Sequence, residues 1–285
     1  MKIEHIVHHE HRQIREATTE PFWVRLLLII VAVTFLTMFL LLPLLSIFVK
    51  SFSDGLTVFW QSLTNPDALA AVRLTLFTAA IVVPLNVVFG VAAAWCLGKF
   101  EFKGKGILLT LIDVPFAISP VIAGLLFIFL FGAQSTLGGW LIDHDIKILF
   151  ATPGIVIVTM FVTAPFVVRE LLPIMQAQGT EEELAARVLG ARGWQIFWRV
   201  TLPNIKWGLL YGAILCNARA MGEFGAVYVI SGRKFGETLT LPLYIEQVYQ
   251  VYPKSAPFTL ASVLALLAIV TLVVKTVVEM REGSG

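Results

Sequence analysis

Few residues of this chain have types and spacings that bear on chemistry. Arg219 and Glu223 stand four apart inside a long apolar run, so on a helix they share one face and can pair. A second concentration lies in the polar segment just before that run. It reads Gly179-Thr-Glu-Glu-Glu-Leu-Ala-Ala-Arg-Val-Leu-Gly190 and continues Ala-Arg-Gly-Trp-Gln-Ile-Phe-Trp-Arg-Val-Thr-Leu-Pro203. The sequence holds no Gly-x-x-x-x-Gly-Lys-Ser/Thr run to cradle a nucleotide phosphate. It also holds no His-Glu-x-x-His, Gly-x-Ser-x-Gly or paired-cysteine metal spacing. Cys96 and Cys216, the two cysteines, fall in apolar runs and read as small apolar side chains, not as a disulfide or zinc framework. The tail from Glu4 to Arg12 is rich in histidine. Imidazole is a common metal ligand, but a solvated, weakly ordered tail accounts for it, and no metal or catalytic residue is assigned.

These residues must be positioned by elements suited to an unusual solvent. Hydrophobic residues make up 58% of the 285 and charged residues 14%, against about a half and a quarter in soluble domains. So much apolar surface cannot all enter one soluble core, and lipid is the natural solvent. The net charge of +2 makes no case for nucleic acid. Six apolar stretches approach or exceed the ~20 residues that cross a ~30 Å hydrocarbon core. They are 22–49, 72–97, 107–131, 148–168, 207–230 and 258–278. Backbone groups in lipid must be bonded internally, so each is expected to be a helix, and the fold class is an all-α membrane protein with six transmembrane helices. Pro43, Pro84, Pro115, Pro120 and Pro165 lie in or near these stretches and predict kinks.

The polar first twenty residues and the length of the first apolar run do not suit a cleavable signal. Residues 1–21 therefore read as a tail, 22–280 as the transmembrane domain and 281–285 as a second tail or an added remnant. Placing the N-terminus in the cytoplasm puts fourteen of the 21 Lys and Arg residues inside and six outside, with Arg219 within a span. This is the bias the positive-inside rule expects, and six spans return the C-terminus to the inside.

The long inside loop is 169–206. Its sequence predicts a short helix, a turn and a second helix. Thr180 has the type of an N-cap, with Glu183 three residues on to complete a capping box, and Glu181, Glu182 and Glu183 place negative charge at the positive helix end. Gly190 and Gly193 are expected to break the first helix. Trp194, Phe197 and Trp198 give the second an aromatic face, and Pro203 is expected to end it. Ala185 and Ala186 present almost no side chain, so a partner can approach the backbone closely. On these features alone, a surface helix with Trp and Arg at the headgroups is the reading they favour.

The spacing Ala185-Ala186-x-x-x-Gly190, nine residues, Val200-x-Leu202-Pro203 resembles the signature loop of permease subunits in binding-protein-dependent, ATP-driven importers. That family's loop reads Glu-Ala-Ala, three residues, Gly, nine residues, Ile-x-Leu-Pro. Here Leu184 stands in place of the Glu and Val200 in place of the Ile, while Glu183 lies one position early. The stretches Asn204–Gly212, Ala218-Arg-Ala-Met-Gly-Glu-Phe-Gly-Ala226, Ser231-Gly232 and Gly236–Leu243 are similar to the sulfate and molybdate permease branch. They are most similar to the W-type subunits of sulfate and thiosulfate importers.

This resemblance implies a type I importer permease fold with a cytoplasmic coupling helix. Glu183, Ala185, Ala186, Gly190, Val200, Leu202 and Pro203 would dock on an ATPase. It implies as partners a homologous T-type permease, two copies of an ABC ATPase carrying the ATP and Mg, a periplasmic sulfate-binding protein and the bilayer of a bacterial inner membrane. The chain itself would be a non-catalytic subunit without a cofactor. In that setting Arg219 and Glu223 either form a structural pair or line the route, with Arg219 offsetting an anion's charge and Glu223 preventing its capture. Gly222 and Gly225 would admit a neighbouring helix. A molybdate or tungstate importer is the nearest alternative, then a stand-alone secondary anion transporter; an intramembrane enzyme has no recognisable nucleophile or metal set. Trp60, Trp140 and Tyr244 are expected at membrane interfaces, and His144 in solvent. Arg233, Lys234 and Lys254 read as surface charge or as contacts for an acidic rim on the binding protein.

Overall fold

The structure, a computed structural model, describes residues 21–251 and 255–282. The histidine-rich tail, Lys254 and residues 283–285 lie outside the described residues, as do the side chains of Lys275 and Arg281. The chain divides into two units, 1–49 and 50–285. The described part of the first is helix α1, Phe22–Ser51, which runs on two residues into the second unit and carries a π-helical turn at Thr37–Leu41.

Every regular element among the described residues of the second unit is a helix. In order come α2 (Leu56–Thr64), α3 (Pro66–Lys99), α4 (Lys105–Ala117), α5 (Pro120–Phe131), α6 (Thr136–Asp143) and α7 (Thr152–Gln178). They are followed by α8 (Glu181–Val188), α9 (Gly193–Ile196), α10 (Leu202–Met221), α11 (Gly225–Ile230), α12 (Leu241–Val251) and α13 (Ser255–Glu282).

The scaffold is the trio α3, α7 and α10, packed through small residues that let backbones approach. A Cβ on Gly90 of α3 would stand 2.5 Å from the Val167 Cβ of α7, and one on Gly98 would stand 2.9 Å from the Met175 Cβ. On α10, Gly208 meets the Ile174 side chain and Gly212 the Val167 backbone. The trio also shares a buried polar centre. Asn86 Nδ2 donates to Thr163 Oγ1 at 2.7 Å and to the Met160 carbonyl at 3.2 Å, with Cys216 Sγ at 3.6 Å. Cys216 is thus more than an apolar filler, since it closes a polar junction of three helices.

The third expected span is broken. α4 and α5 meet at a 109° bend. Pro120 has no N–H to continue the ladder and drives Ser119 into an extended conformation, ψ 137°. The fifth expected span is broken too: α10 ends at Met221, and α11 restarts at Gly225 after the glycine-flanked Gly222-Glu-Phe segment. Among the described residues, four helices are therefore long and apolar enough to cross a bilayer alone, or five spans result if the bent pair counts as one. α10 has the length, 20 residues, but carries Lys206, Asn217 and Arg219. Pro84 and Pro165, by contrast, sit inside unbroken helices.

Trp60 and Trp140 are exposed at 62% and 52%, as interface residues would be, but Tyr244 is 5% exposed and belongs to the core. Burial pushes its phenol above the usual range, and the Asp67 carboxylate adds to this. His144 is exposed, with Nδ1 2.8 Å from the Trp140 carbonyl.

Candidate functional site

The loop between α7 and α10 is tied down at both ends by charge. Lys99, at the last position of α3, has its side chain only 6% exposed, and its Nζ lies 3.2 Å from Glu183 Oε1. The same ammonium donates to the Gly179 carbonyl. Thr201 Oγ1 donates to Glu183 Oε1 at 2.8 Å, and Asn204 Nδ2 donates to Glu182. The end of α3, the start of α8 and the approach to α10 are thereby fastened together. Lys99 and Glu183, with Trp95, Leu184 and Arg187, line a cavity of about 330 Å³.

This geometry changes the expected capping. Thr180 makes no side-chain cap bond, and the reciprocal half of the box is also missing, since Glu183 is turned inward to Lys99 and Thr201. Gly190 does end α8, at φ +88°, a left-handed conformation that suits glycine. Gly193 opens α9 and breaks nothing. Nor does Pro203 end the second helix. α9 passes through a π-helical turn, Phe197–Thr201, directly into α10, and the wider turn accommodates the proline's missing N–H and its ring.

Ala185 is exposed and Ala186 half-buried, so the small-residue pair borders open space. Beside it stand Val188 and Leu189, 87% and 88% exposed, and Trp194, 71% exposed. Such apolar side chains at full exposure mark a surface built to be covered. Val200 and Leu202 are half-buried and Pro203 is exposed. Trp194, Phe197 and Trp198 form a mutual ring cluster with centroids 5.5–5.9 Å apart, and Phe197 packs on Trp95 of α3 at 5.0 Å.

Arg219 and Glu223 are paired, with Nη1 to Oε2 at 2.5 Å, across the end of α10. The arginine side chain is 32% exposed and the glutamate 1%. Glu223 Oε1 accepts the Ala226 N–H at 3.0 Å, satisfying one of the unpaired amides at the start of α11. Gly225 lies against Pro120 and Val121 at the start of α5, whereas Gly222 is exposed and, among the described residues, no neighbouring helix comes within 4 Å of a Cβ placed there. The expected packing position at Gly222 is instead the point where α10 stops.

Three features were not singled out by the sequence reading. One is the role of Lys99, which sequence offers only as one basic residue of a cytoplasmic turn. Another is the Asn86–Thr163–Cys216 junction, for which a lone Asn in an apolar run was the available signal. The last is an ion pair across α4 and α7, with Arg169 Nε 3.0 Å from Asp113 Oδ1. Its signal was Asp113, the one acidic residue inside the third apolar stretch.

Residues 86–281 match the family described as the inner membrane component of binding-protein-dependent transport systems. The chain is 51% identical over 264 residues to the sulfate transport system permease protein CysW of Synechocystis sp., covering 93% of this chain and 96% of that protein. It is 50% identical over 273 residues to CysW of Escherichia coli K12, with 95% and 94% covered. The CysT permease of the same E. coli strain is 35% identical over 249 residues, with 87% and 90% covered. In fold it matches a chain of a bacterial alginate ABC transporter, solved in complex with an alginate pentasaccharide-bound periplasmic protein. There the TM-score is 0.74 at 18% identity, over 90% of this chain and 92% of that one. With the helical fold, the spacing of the loop and this breadth of similarity in view, the chain belongs to the family of inner membrane components of binding-protein-dependent transport systems.

Proposed function

We propose that this chain is the permease subunit of an ATP-driven sulfate (thiosulfate) importer and forms half of the translocation pathway. The observation that carries the reading is the ~50% identity to CysW permeases over nearly the whole length of both chains. The second half of the pathway is a homologous permease of the CysT type. ATP and Mg are handled by two copies of a separate ATPase, a periplasmic sulfate-binding protein delivers the anion, and this chain performs no catalysis. Both termini lie in the cytoplasm, which follows from the distribution of Lys and Arg.

A dianion does not cross hydrocarbon unaided, so the route opens alternately to each side. α8 and the turn at Gly190 form the surface that receives the ATPase: Ala185 and Ala186 allow close approach, and Val188, Leu189 and Trp194 supply apolar area. The Lys99–Glu183–Thr201 fastening supports rigid transmission of ATPase motion into α3 and α10. Arg219 lines the route, where its partial exposure leaves it open to an anion while Glu223 weakens its hold.

The test is reconstitution of the four-protein complex in vesicles with labelled sulfate. ATP-dependent uptake that requires the binding protein and resists uncouplers is expected. Uptake by this chain alone, or uptake abolished by uncouplers, would reject the importer reading. Uptake of molybdate or tungstate in preference to sulfate would reassign the substrate.

A further inference from the structure

The pair formed by Asp113 on α4 and Arg169 on α7 lies apart from the Arg219 region, and Arg169, read from sequence as the first residue of the inside loop, stands instead within α7, which continues to Gln178. Its side chains are 45% and 55% exposed, so it is not a core strut. Its depth follows from the packing register. Gly90 lies against Val167 and Gly98 against Met175, so α3 and α7 run parallel with Lys99 near the level of residue 176. Arg169 is then about seven residues, or ~10 Å, further into the membrane than Lys99. A charged pair at that depth is costly against lipid and must face water or protein.

The guanidinium is held in an orientation suited to a ligand. Its carbon stands 4.5 Å from the centre of the Phe116 ring, and Phe116 is braced edge-on by Phe166 at 5.1 Å. Only Nε is engaged by Asp113. Both terminal amino groups are without a protein partner among the described residues, which leaves four N–H donors in the planar fork that matches an oxyanion. Glu170, the next residue, lies on the face toward Gly212 of α10.

We infer that Arg169, tempered by Asp113, is a second station for a tetrahedral oxyanion, on the cytoplasmic half of the permeation route. This rests on the sulfate-importer reading and on the orientation proposed with it. α7 and α10 are in register through Gly208 with Ile174, Gly212 with Val167, and Cys216 with Thr163. Arg219 therefore sits near the level of residue 160, and Arg169 lies about nine residues, or ~14 Å, closer to the cytoplasm. Each arginine is paired with one carboxylate, which lets an anion bind without being trapped, as a permeation site requires.

The experiment uses the complete complex in vesicles, and the parental complex must first show ATP-dependent sulfate uptake; its failure would reject the function and not the station. Arg169→Gln is expected to assemble and hydrolyse ATP at the parental rate while sulfate uptake falls by about tenfold, the worth of a lost charge-assisted hydrogen bond. The neutral pair Asp113→Asn with Arg169→Gln leaves no unpaired charge and is expected to show the same loss. A neutral pair that transports at the parental rate overturns the proposal. If Arg169→Gln alone fails to assemble and the neutral pair restores both assembly and uptake, the pair is a strut and the proposal is wrong.

Discussion

Lys99 Nζ stands 3.2 Å from Glu183 Oε1, joining the last residue of α3 to the first turn of α8 across 84 positions of sequence with both side chains largely buried. Removing one member of such a pair leaves the other charge buried and unpaired, a change that costs about 3–5 kcal/mol, whereas removing both together costs far less. Lys99→Met is therefore expected to lower the unfolding temperature of the complex and to uncouple transport from ATP hydrolysis. The double change Lys99→Met with Glu183→Gln is expected to recover most of the lost stability. A thermal melt of the purified complex, paired with ATP hydrolysis per sulfate transported, checks both. A single variant with parental stability and stoichiometry would show that the fastening is dispensable.

Gly190 adopts φ +88° with no atom within 4 Å of a notional Cβ, so substitution there acts through backbone strain alone. Gly190→Val is expected to cost about 1–3 kcal/mol locally, and Gly190→Asn less, because Asn tolerates the left-handed region. Membrane insertion should be unchanged for both, while stimulation of the ATPase by loaded binding protein should fall for Val more than for Asn. Ala185→Asp, at an exposed position, should leave folding intact and weaken ATPase capture. Equal capture by the parental and Ala185→Asp chains would place the docking surface elsewhere.

How legible this was in the sequence depended on the kind of signal. The helical class and the loop between α7 and α10 could be read because apolar run length and the Ala-Ala-x-x-x-Gly spacing are local properties. The Gly190 ending was legible for the same reason. The break at Pro120 was signalled but read as a kink, since a proline in sequence does not say whether the chain resumes in line or turns by 109°. The Glu183 half of the capping box at Thr180 failed because Glu183 had a distant competitor, the Lys99 ammonium, which local spacing cannot reveal. Asp113 and Arg169 lie 56 positions apart, and only packing of α4 on α7 brings them together.

The Asn86 amide is bonded to both the Thr163 hydroxyl and the Met160 carbonyl inside the helix trio. Asn86→Ala removes both bonds, opens a small cavity and is expected to destabilise the complex by about 2–3 kcal/mol. Cys216→Ser preserves a small polar acceptor near Asn86 and is expected to cost less than 1.5 kcal/mol. A denaturation series on the two variants gives the order. If Cys216→Ser is the more damaging, packing around the sulfur and not the Asn86 bonds holds the junction.

The last prediction separates the two roles open for Arg219. Glu223 serves two groups at once, the Arg219 guanidinium and the Ala226 N–H. Exchanging the pair, Arg219→Glu with Glu223→Arg, therefore does not rebuild the site, because an arginine cannot accept the Ala226 N–H. The exchange is expected to fail in assembly whichever role Arg219 plays. The informative change is Arg219→Gln together with Glu223→Gln. Its amide oxygen at position 223 can still accept from Ala226, and no unpaired charge remains in the bundle. If the pair only holds α10 to α11, this double variant assembles and transports sulfate near the parental rate. If Arg219 lines the route, it assembles and hydrolyses ATP but sulfate uptake falls by at least about tenfold, as expected when one charge-assisted contact to the anion is lost. We expect the second outcome. A third of the arginine side chain is exposed while its partner is sealed at 1%, and a purely structural pair would have no reason to leave its cation open.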